Sequence, residues 1–325
     1  MNRFIAIVTA AALWLLTQGV HALELPGPLV DADWLAAKLD QVKVLELRPD
    51  PRSFAVEPQY AISRQTGRKV LVEVGGHVPG SVWVDFSKVR VTREIAGQKV
   101  GLLIPAKADF EALVRSWGVN RGDAIVLVPL GESIGDLNEA ARLYWQFKYY
   151  GEDRIAILNG GSSAWLSAQK PFSTQISAPV AGNWTAGAER TEIFASSEDT
   201  ALASAGKGGQ LVDARPIAQH YGLSKSGAVT KAGHIAGSKL AAAELLSRTS
   251  GGAQVYLDAA SYTQLMAKLG ISTKEPTISY CNTGHQAAGL WFVMSELLGN
   301  KGTKLYDGSL HQWTLEKRPV VGLAD

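Results

Sequence analysis

Only one cysteine, Cys281, occurs in the whole chain of 325 residues. A small exported domain stapled by disulfides would carry an even number of them, so this fold must be held by its apolar core. Charge of one sign is lacking as well. The net charge is +2 and no block of like charges occurs, which argues against nucleic acid or an anionic membrane as partner. The six histidines show neither the His-x-x-x-His nor the Cys–His spacing of a zinc site. No zinc site is expected from them. Beyond the first 22 residues no apolar run reaches the roughly 20 residues that cross a bilayer. With 46% hydrophobic and 19% charged residues, the composition suits a packed core and not a disordered chain.

The first 22 residues differ from the rest. Arg3 gives a basic start, residues 4–16 form an apolar run softened only by Thr9, and Val20 and Ala22 are small residues at the −3 and −1 positions of a cleavage site. This is the layout of a secretory signal peptide. The reading predicts cleavage near Ala22 and a mature protein, soluble and free of the membrane, in the periplasm or outside the cell. A lone thiol in such a compartment needs a reason.

Internal repetition organises the remainder. Val44-Leu45-Glu46-Leu47-Arg48-Pro49 returns as Leu211-Val212-Asp213-Ala214-Arg215-Pro216. Gly76-His77-Val78-Pro79-Gly80 returns as Gly233-His234-Ile235-Ala236-Gly237, and Leu158-Asn159-Gly160-Gly161 with Trp165 returns as Tyr306-Asp307-Gly308-Ser309 with Trp313. Three matches in the same order indicate a duplicated domain, with insertions in the first half such as 55–74. The spans are 23–170 and 193–325, joined by a linker over 171–192 that is rich in Ser, Thr, Pro and Gly. The linker is expected to cross the surface of both domains, with Trp184 packed on one of them.

Each half alternates strands and helices. Short apolar runs at 42–47, 124–128, 154–158, 210–214, 277–280 and 304–306 predict buried parallel strands. Residues 139–150 and 287–298 predict helices, the second closed by Gly299 and apolar almost all round, hence buried. The fold class is therefore α/β, with a parallel sheet flanked by helices in each domain.

The segment Ile278-Ser279-Tyr280-Cys281-Asn282-Thr283-Gly284-His285-Gln286-Ala287-Ala288 carries the chemistry. A strand ends at Cys281, a short loop follows, and a buried helix begins. Ligands of open parallel sheets bind at the carboxyl ends of strands. There the sulfur meets loop N–H groups and the positive end of a helix dipole, which together favour negative charge. Gly284 lets the loop curl.

These features resemble the tandem-domain rhodaneses, the thiosulfate and mercaptopyruvate sulfurtransferases. The resemblance rests on the two Gly-His-x-x-Gly segments, on Asp307-Gly308 followed by Trp313, and on the length of the loop that Cys281 opens. It covers nearly all of the chain after residue 22. It implies two rhodanese-like domains, with Cys281 as a nucleophile that takes a sulfane sulfur and becomes a persulfide, with no need of a metal or an organic cofactor. The loop Asn282, Thr283, Gly284, His285, Gln286 and Ala287 then binds that persulfide through its backbone. The implied donor is thiosulfate or a similar compound, the acceptor cyanide or a thiol, and a sulfur-accepting protein is a further partner. The resemblance also puts Arg215 near the substrate as an anion ligand. Asp213, His234, Asp307 and Trp313 are expected to support the site, and His77 and His234 to fix turns.

Two departures from the family pattern stand out. The first half has Pro129 to Gly135 where a cysteine loop would be, Asn159 in place of Asp307, and Glu46 in place of Asp213. It is expected to be inactive. The Cys281 loop lacks the basic side chains that some thiosulfate-using members carry after the cysteine. The alternative function is thus a persulfide carrier that serves a specific protein and turns over small donors poorly. A Cys-loop phosphatase ranks below both, because Ala287 and Ala288 stand where such loops place an arginine.

Overall fold

A computed structural model of the chain describes residues 23–323. The expected signal peptide lies outside these residues. Among those described, no helix is long and apolar enough to cross a membrane.

The duplication is visible in the topology. One sheet runs in the order Leu29–Val30, Ile155–Leu158, Ala124–Val128, Val42–Leu47, Val82–Val84. The other runs Phe194–Ala195, Thr303–Tyr306, Thr277–Tyr280, Gln210–Asp213, Lys239–Leu240. By position in sequence the two orders are the same, and all neighbouring strands are parallel. The central strands Ala124–Val128 and Thr277–Tyr280 are buried at every position, as a parallel sheet covered on both faces requires.

The segment 55–74 carries an antiparallel hairpin of Gln59–Ile62 with Lys69–Glu73. The linker follows the first domain more closely than expected. Gly182, Trp184, Gly187 and Arg190 donate backbone hydrogen bonds to Arg115, Val119, Tyr150 and Tyr149. Trp184 packs edge-on against Phe110 and Phe147.

The helix Ile134–Tyr149 starts five residues earlier than expected. Ser133 and Asp136 form a capping box, each side chain accepting from the other's backbone N–H, which satisfies donors the helix leaves free. The helix is buried nearly all round because it lies between its own sheet and the helix that follows Cys281. That second helix is α-helical over His285–Trp291 and continues as a π-helical turn over Phe292–Leu297. The two helices pack across the domain boundary. Gly289 leaves room for Asn138 there: a Cβ would lie 2.0 Å from Asn138 Oδ1 and force that side chain to shift. A single apolar cluster spans the junction, including Leu45, Phe110, Leu143 and Trp145 from one domain and Val212, Ala288, Phe292 and Met294 from the other. The two domains therefore share a core instead of meeting at a wet interface.

Candidate active site

Cys281 follows directly on the strand Thr277–Tyr280 and is buried, with 1% of its surface exposed. Its loop is tied down from three sides. Ser309 Oγ accepts from the N–H groups of Cys281 (3.0 Å) and Gly284 (3.1 Å), and donates to the Tyr306 carbonyl at 2.8 Å. The carbonyls of Cys281 and Asn282 accept from the Leu310 and His311 N–H groups. Asn282 Nδ2 donates to Gln219 Oε1 at 2.8 Å. Gly284 sits at φ +71°, where an added Cβ would lie 2.6 Å from both Arg142 Nη1 and the Asp307 carbonyl.

The third tie comes from the first domain. Arg142, fully buried on the helix Ile134–Tyr149, donates from Nη1 to the Gly284 carbonyl at 3.2 Å. Its Nη2 lies 2.5 Å from Asp307 Oδ1, and its guanidinium stacks on Trp145 at 4.9 Å. Because a trans peptide sets C=O and N–H on opposite sides, holding the Gly284 carbonyl turns the His285 N–H the other way. Asp307 Oδ2 accepts from the Ile104 N–H at 2.9 Å, so this carboxylate joins the domains twice over. Sequence reasoning did not single out Arg142 or Ser309. Arg142 has a signal, being the one cation in an otherwise apolar stretch of helix. Ser309 has one too, standing where the repeat has Gly161.

A cavity of about 280 Å³ opens on the sulfur. Cys281, Asn282, Thr283, His285, Gln286 and Ser226 line it from the second domain, and Ile134, Gly135 and Asn138 from the first. Among the described residues Asn282 Oδ1 is buried without a hydrogen-bond partner, which suits a water or a ligand there. Burial, reinforced by Arg90 and Arg142, pushes His285 down to about 3; its imidazole is neutral near pH 7. A cavity of similar size, about 290 Å³, lies beside Trp83, Trp117 and Pro179 and does not include Cys281.

Arg215 departs from expectation. It is not among the residues lining the Cys281 cavity. Its Nε and Nη2 pair with the Asp213 carboxylate, the shortest contact being 2.6 Å, and Nη2 also donates to the Gly233 carbonyl at 2.9 Å. Although Asp213 is buried, which would raise its carboxyl, hydrogen bonds from His220 and Arg215 hold it below its ordinary range. The first domain repeats this brace: Arg48 pairs with Glu46 at 2.8 Å and donates to the Gly76 carbonyl at 2.7 Å. An arrangement shared with a domain that has no cysteine is a brace for the strand end, and Arg215's guanidinium is already committed to it.

Ala287 contributes its carbonyl to Ser279 Oγ and is not on the cavity wall; neither is Gly284. His234 stacks on His220 at 3.9 Å, donates from Nδ1 to the His220 carbonyl, and pairs its backbone with Val321. His77 pairs in the same way with Ser173. Trp313 Nε1 donates to the Pro319 carbonyl, as Trp165 Nε1 does to that of Pro171.

Comparison with known proteins agrees with this geometry. Residues 197–316 match the family described as "Rhodanese-like domain". A Haloferax volcanii protein provisionally named a thiosulfate sulfurtransferase is 30% identical over 295 residues, 88% of this chain and 92% of that protein. A Thermus thermophilus protein named "Sulfur carrier protein TtuD" is 26% identical over 304 residues, 89% of this chain and 94% of that one. Among solved structures, SseA from Escherichia coli, described as a 3-mercaptopyruvate sulfotransferase of rhodanese fold, superposes with a TM-score of 0.68 at 24% identity. It covers 87% of this chain and 98% of its own. That last likeness concerns the fold.

Proposed function

The chain belongs to the rhodanese family of sulfurtransferases, and from that premise we propose that it moves a sulfane sulfur through a persulfide on Cys281. The donor is thiosulfate or a compound like it, and the acceptor is cyanide or a thiol. In the first half-reaction the Cys281 sulfur, as thiolate, attacks the outer sulfur of thiosulfate. The donor S–S bond breaks with its electron pair on sulfite, and a new S–S bond leaves Cys281–S–S⁻. In the second, cyanide takes the outer sulfur as thiocyanate and the thiolate returns. Such alternation gives ping-pong kinetics.

The observation that supports this reading best is the state of the loop. Ser309 and Arg142 pin it at Cys281 and Gly284, while among the described residues no backbone carbonyl takes the N–H groups of Asn282 and Thr283. These amides are free for an anionic sulfur, in the manner of a backbone nest. The test is mass spectrometry after thiosulfate: a gain of about one sulfur atom on Cys281, absent from Cys281→Ser. Turnover by Cys281→Ser comparable to wild type would sink the assignment.

A second reading, a persulfide carrier for a partner protein, is favoured by the neutral side chains of Asn282, Thr283, His285 and Gln286 and by the likeness to a sulfur carrier. Persulfide that forms readily but reaches cyanide only slowly would select it. Export belongs to the proposal too: mature protein from an exporting host should begin near Leu23, and an intact Met1 on membrane-bound material would refute cleavage.

A further inference from the structure

We propose that Arg90, a residue of the cysteine-free first domain, supplies the positive charge that the Cys281 loop lacks and selects doubly charged sulfur donors. The inference rests on the sulfur-transfer reading above and adds a specificity residue to it.

Among the described residues the fully buried arginines are matched by carboxylates: Arg48 by Glu46, Arg142 by Asp307, Arg215 by Asp213. Half-buried Arg90 differs from them. Its Nε is buried without a hydrogen-bond partner, and among the described residues no carboxylate lies at ion-pair distance from it. A partly buried cation with no carboxylate beside it keeps its charge available to an arriving anion. Its guanidinium lies over Phe86, 4.9 Å from the ring centroid, and Phe86 packs on His285, with centroids 5.6 Å apart. His285 is a wall of the Cys281 cavity. The stack Arg90–Phe86–His285 thus runs from the first domain to the edge of the site.

The electrostatics agree with this placement. Burial and the neighbouring Arg142 push Arg90 down to about 10, and Cys281, Glu139 and Asp307 act the other way. It remains charged near pH 7. Glu139 is a poor counter-ion, since burial and Asp136 push it up to about 7. Neutral His285, between Arg90 and the cavity, adds no competing charge. Arg90 therefore acts as a positioning residue through its field, across Phe86 and His285.

The experiment compares two donors that react alike but differ by one charge, thiosulfate and methanethiosulfonate. In each case the donor S–S bond breaks, its electron pair leaves on sulfite or on methanesulfinate, and Cys281 keeps one sulfur. Rates of sulfur gain on Cys281 are measured by mass spectrometry in wild type, Arg90→Gln and Arg90→Lys. Arg90→Gln should slow loading from thiosulfate about tenfold, equivalent to about 1.4 kcal/mol, and loading from methanethiosulfonate by much less. Arg90→Lys should restore the preference, and Arg90→Gln should melt close to wild type, because no ion pair is lost and only the contact with the Phe86 ring goes. Arg90→Met provides a second neutral side chain should the glutamine variant fold poorly. Equal losses on both donors, or none on either, would overturn the role of Arg90 while leaving sulfur transfer standing. Wild type that gains no sulfur from either donor would overturn the sulfur-transfer reading itself, and the role of Arg90 with it.

Discussion

Replacing Arg142 with methionine tests whether the first domain holds the loop of the second. The substitution keeps a long apolar stem against Trp145 and removes two contacts. Asp307 Oδ1 loses the guanidinium 2.5 Å away, and the Gly284 carbonyl loses its donor at 3.2 Å. Both partners of the ion pair are buried, at 0% and 3% side-chain exposure. Removing one member of such a pair leaves the other charge uncompensated, at a cost of about 3–5 kcal/mol. With roughly 2.1 cal/mol/K of unfolding entropy per residue, a chain of this length should melt about 4–7 °C lower. Because one apolar cluster spans both domains, circular dichroism should still record a single transition. Sulfur loading of Cys281, measured well below that transition, should fall at least about tenfold, the effect of about 1.4 kcal/mol of lost loop positioning. Asp307→Asn should also destabilise, by stranding Arg142. The double variant Arg142→Met/Asp307→Asn should be far milder than the sum, since it removes both charges. A loss below about 1 kcal/mol in Arg142→Met, or strict additivity in the double variant, would refute the reasoning.

Three further outcomes follow from the same site. Gly284→Ala should abolish most sulfur loading, because φ is +71° and the Asp307 carbonyl stands 2.6 Å from the new Cβ; loading at the wild-type rate would mean the loop is not fixed there. Arg215→Lys should lower the melting temperature by several degrees and depress both half-reactions together, since lysine cannot reproduce the two-pronged grip on Asp213. An effect confined to the donor, with unchanged melting, would make Arg215 a donor ligand after all. His285 ionises near 3 when folded, below its ordinary value of 6.5, so the unfolded chain binds its proton first as the solution is acidified. Its contribution to stability is complete above pH 6.5 and drains as pH falls toward 3, by at most about 1.4 kcal/mol per pH unit. His285→Gln should therefore show a shallower loss of stability between pH 6 and 4, and equal slopes would contradict the burial of the ring.

What could be read in advance was what neighbours in sequence determine. The apolar runs at Val42–Leu47, Ala124–Val128 and Thr277–Tyr280 declare buried strands, and the cysteine at the end of the last marks the candidate site. The edge strands Leu29–Val30 and Phe194–Ala195 are two residues long, too short for any periodicity, and form because parallel partners are already in place. The early start of the helix at Ile134 was legible in Ser133 and Asp136, where the pattern of apolar residues alone pointed to 139. Arg90 offers no local signal; only tertiary packing brings it toward a residue far along the chain.

The repeat itself explains more once both copies are compared in space. Ser309 stands at φ +49°, and its counterpart Gly161 at +57°. A left-handed backbone costs an ordinary side chain about 1–2 kcal/mol that glycine avoids. In the second domain Ser309 Oγ offsets that strain by accepting from both Cys281 and Gly284. The same logic separates Asp307 from Asn159. Each caps a backbone N–H of the opposite domain, Asp307 at Ile104 and Asn159 at Tyr256, both at 2.9 Å. For that task an amide oxygen serves as well as a carboxylate. The difference lies in the facing helix: Ile134–Tyr149 presents Arg142 to Asp307, whereas His285–Trp291 contains no arginine to present to Asn159. A buried carboxylate is stable only where a cation meets it, so the charge at position 307 and its absence at 159 both follow from which helix carries the arginine. The domain without a cysteine is then the one that must hold it, because its helix is the one that reaches the loop after Cys281.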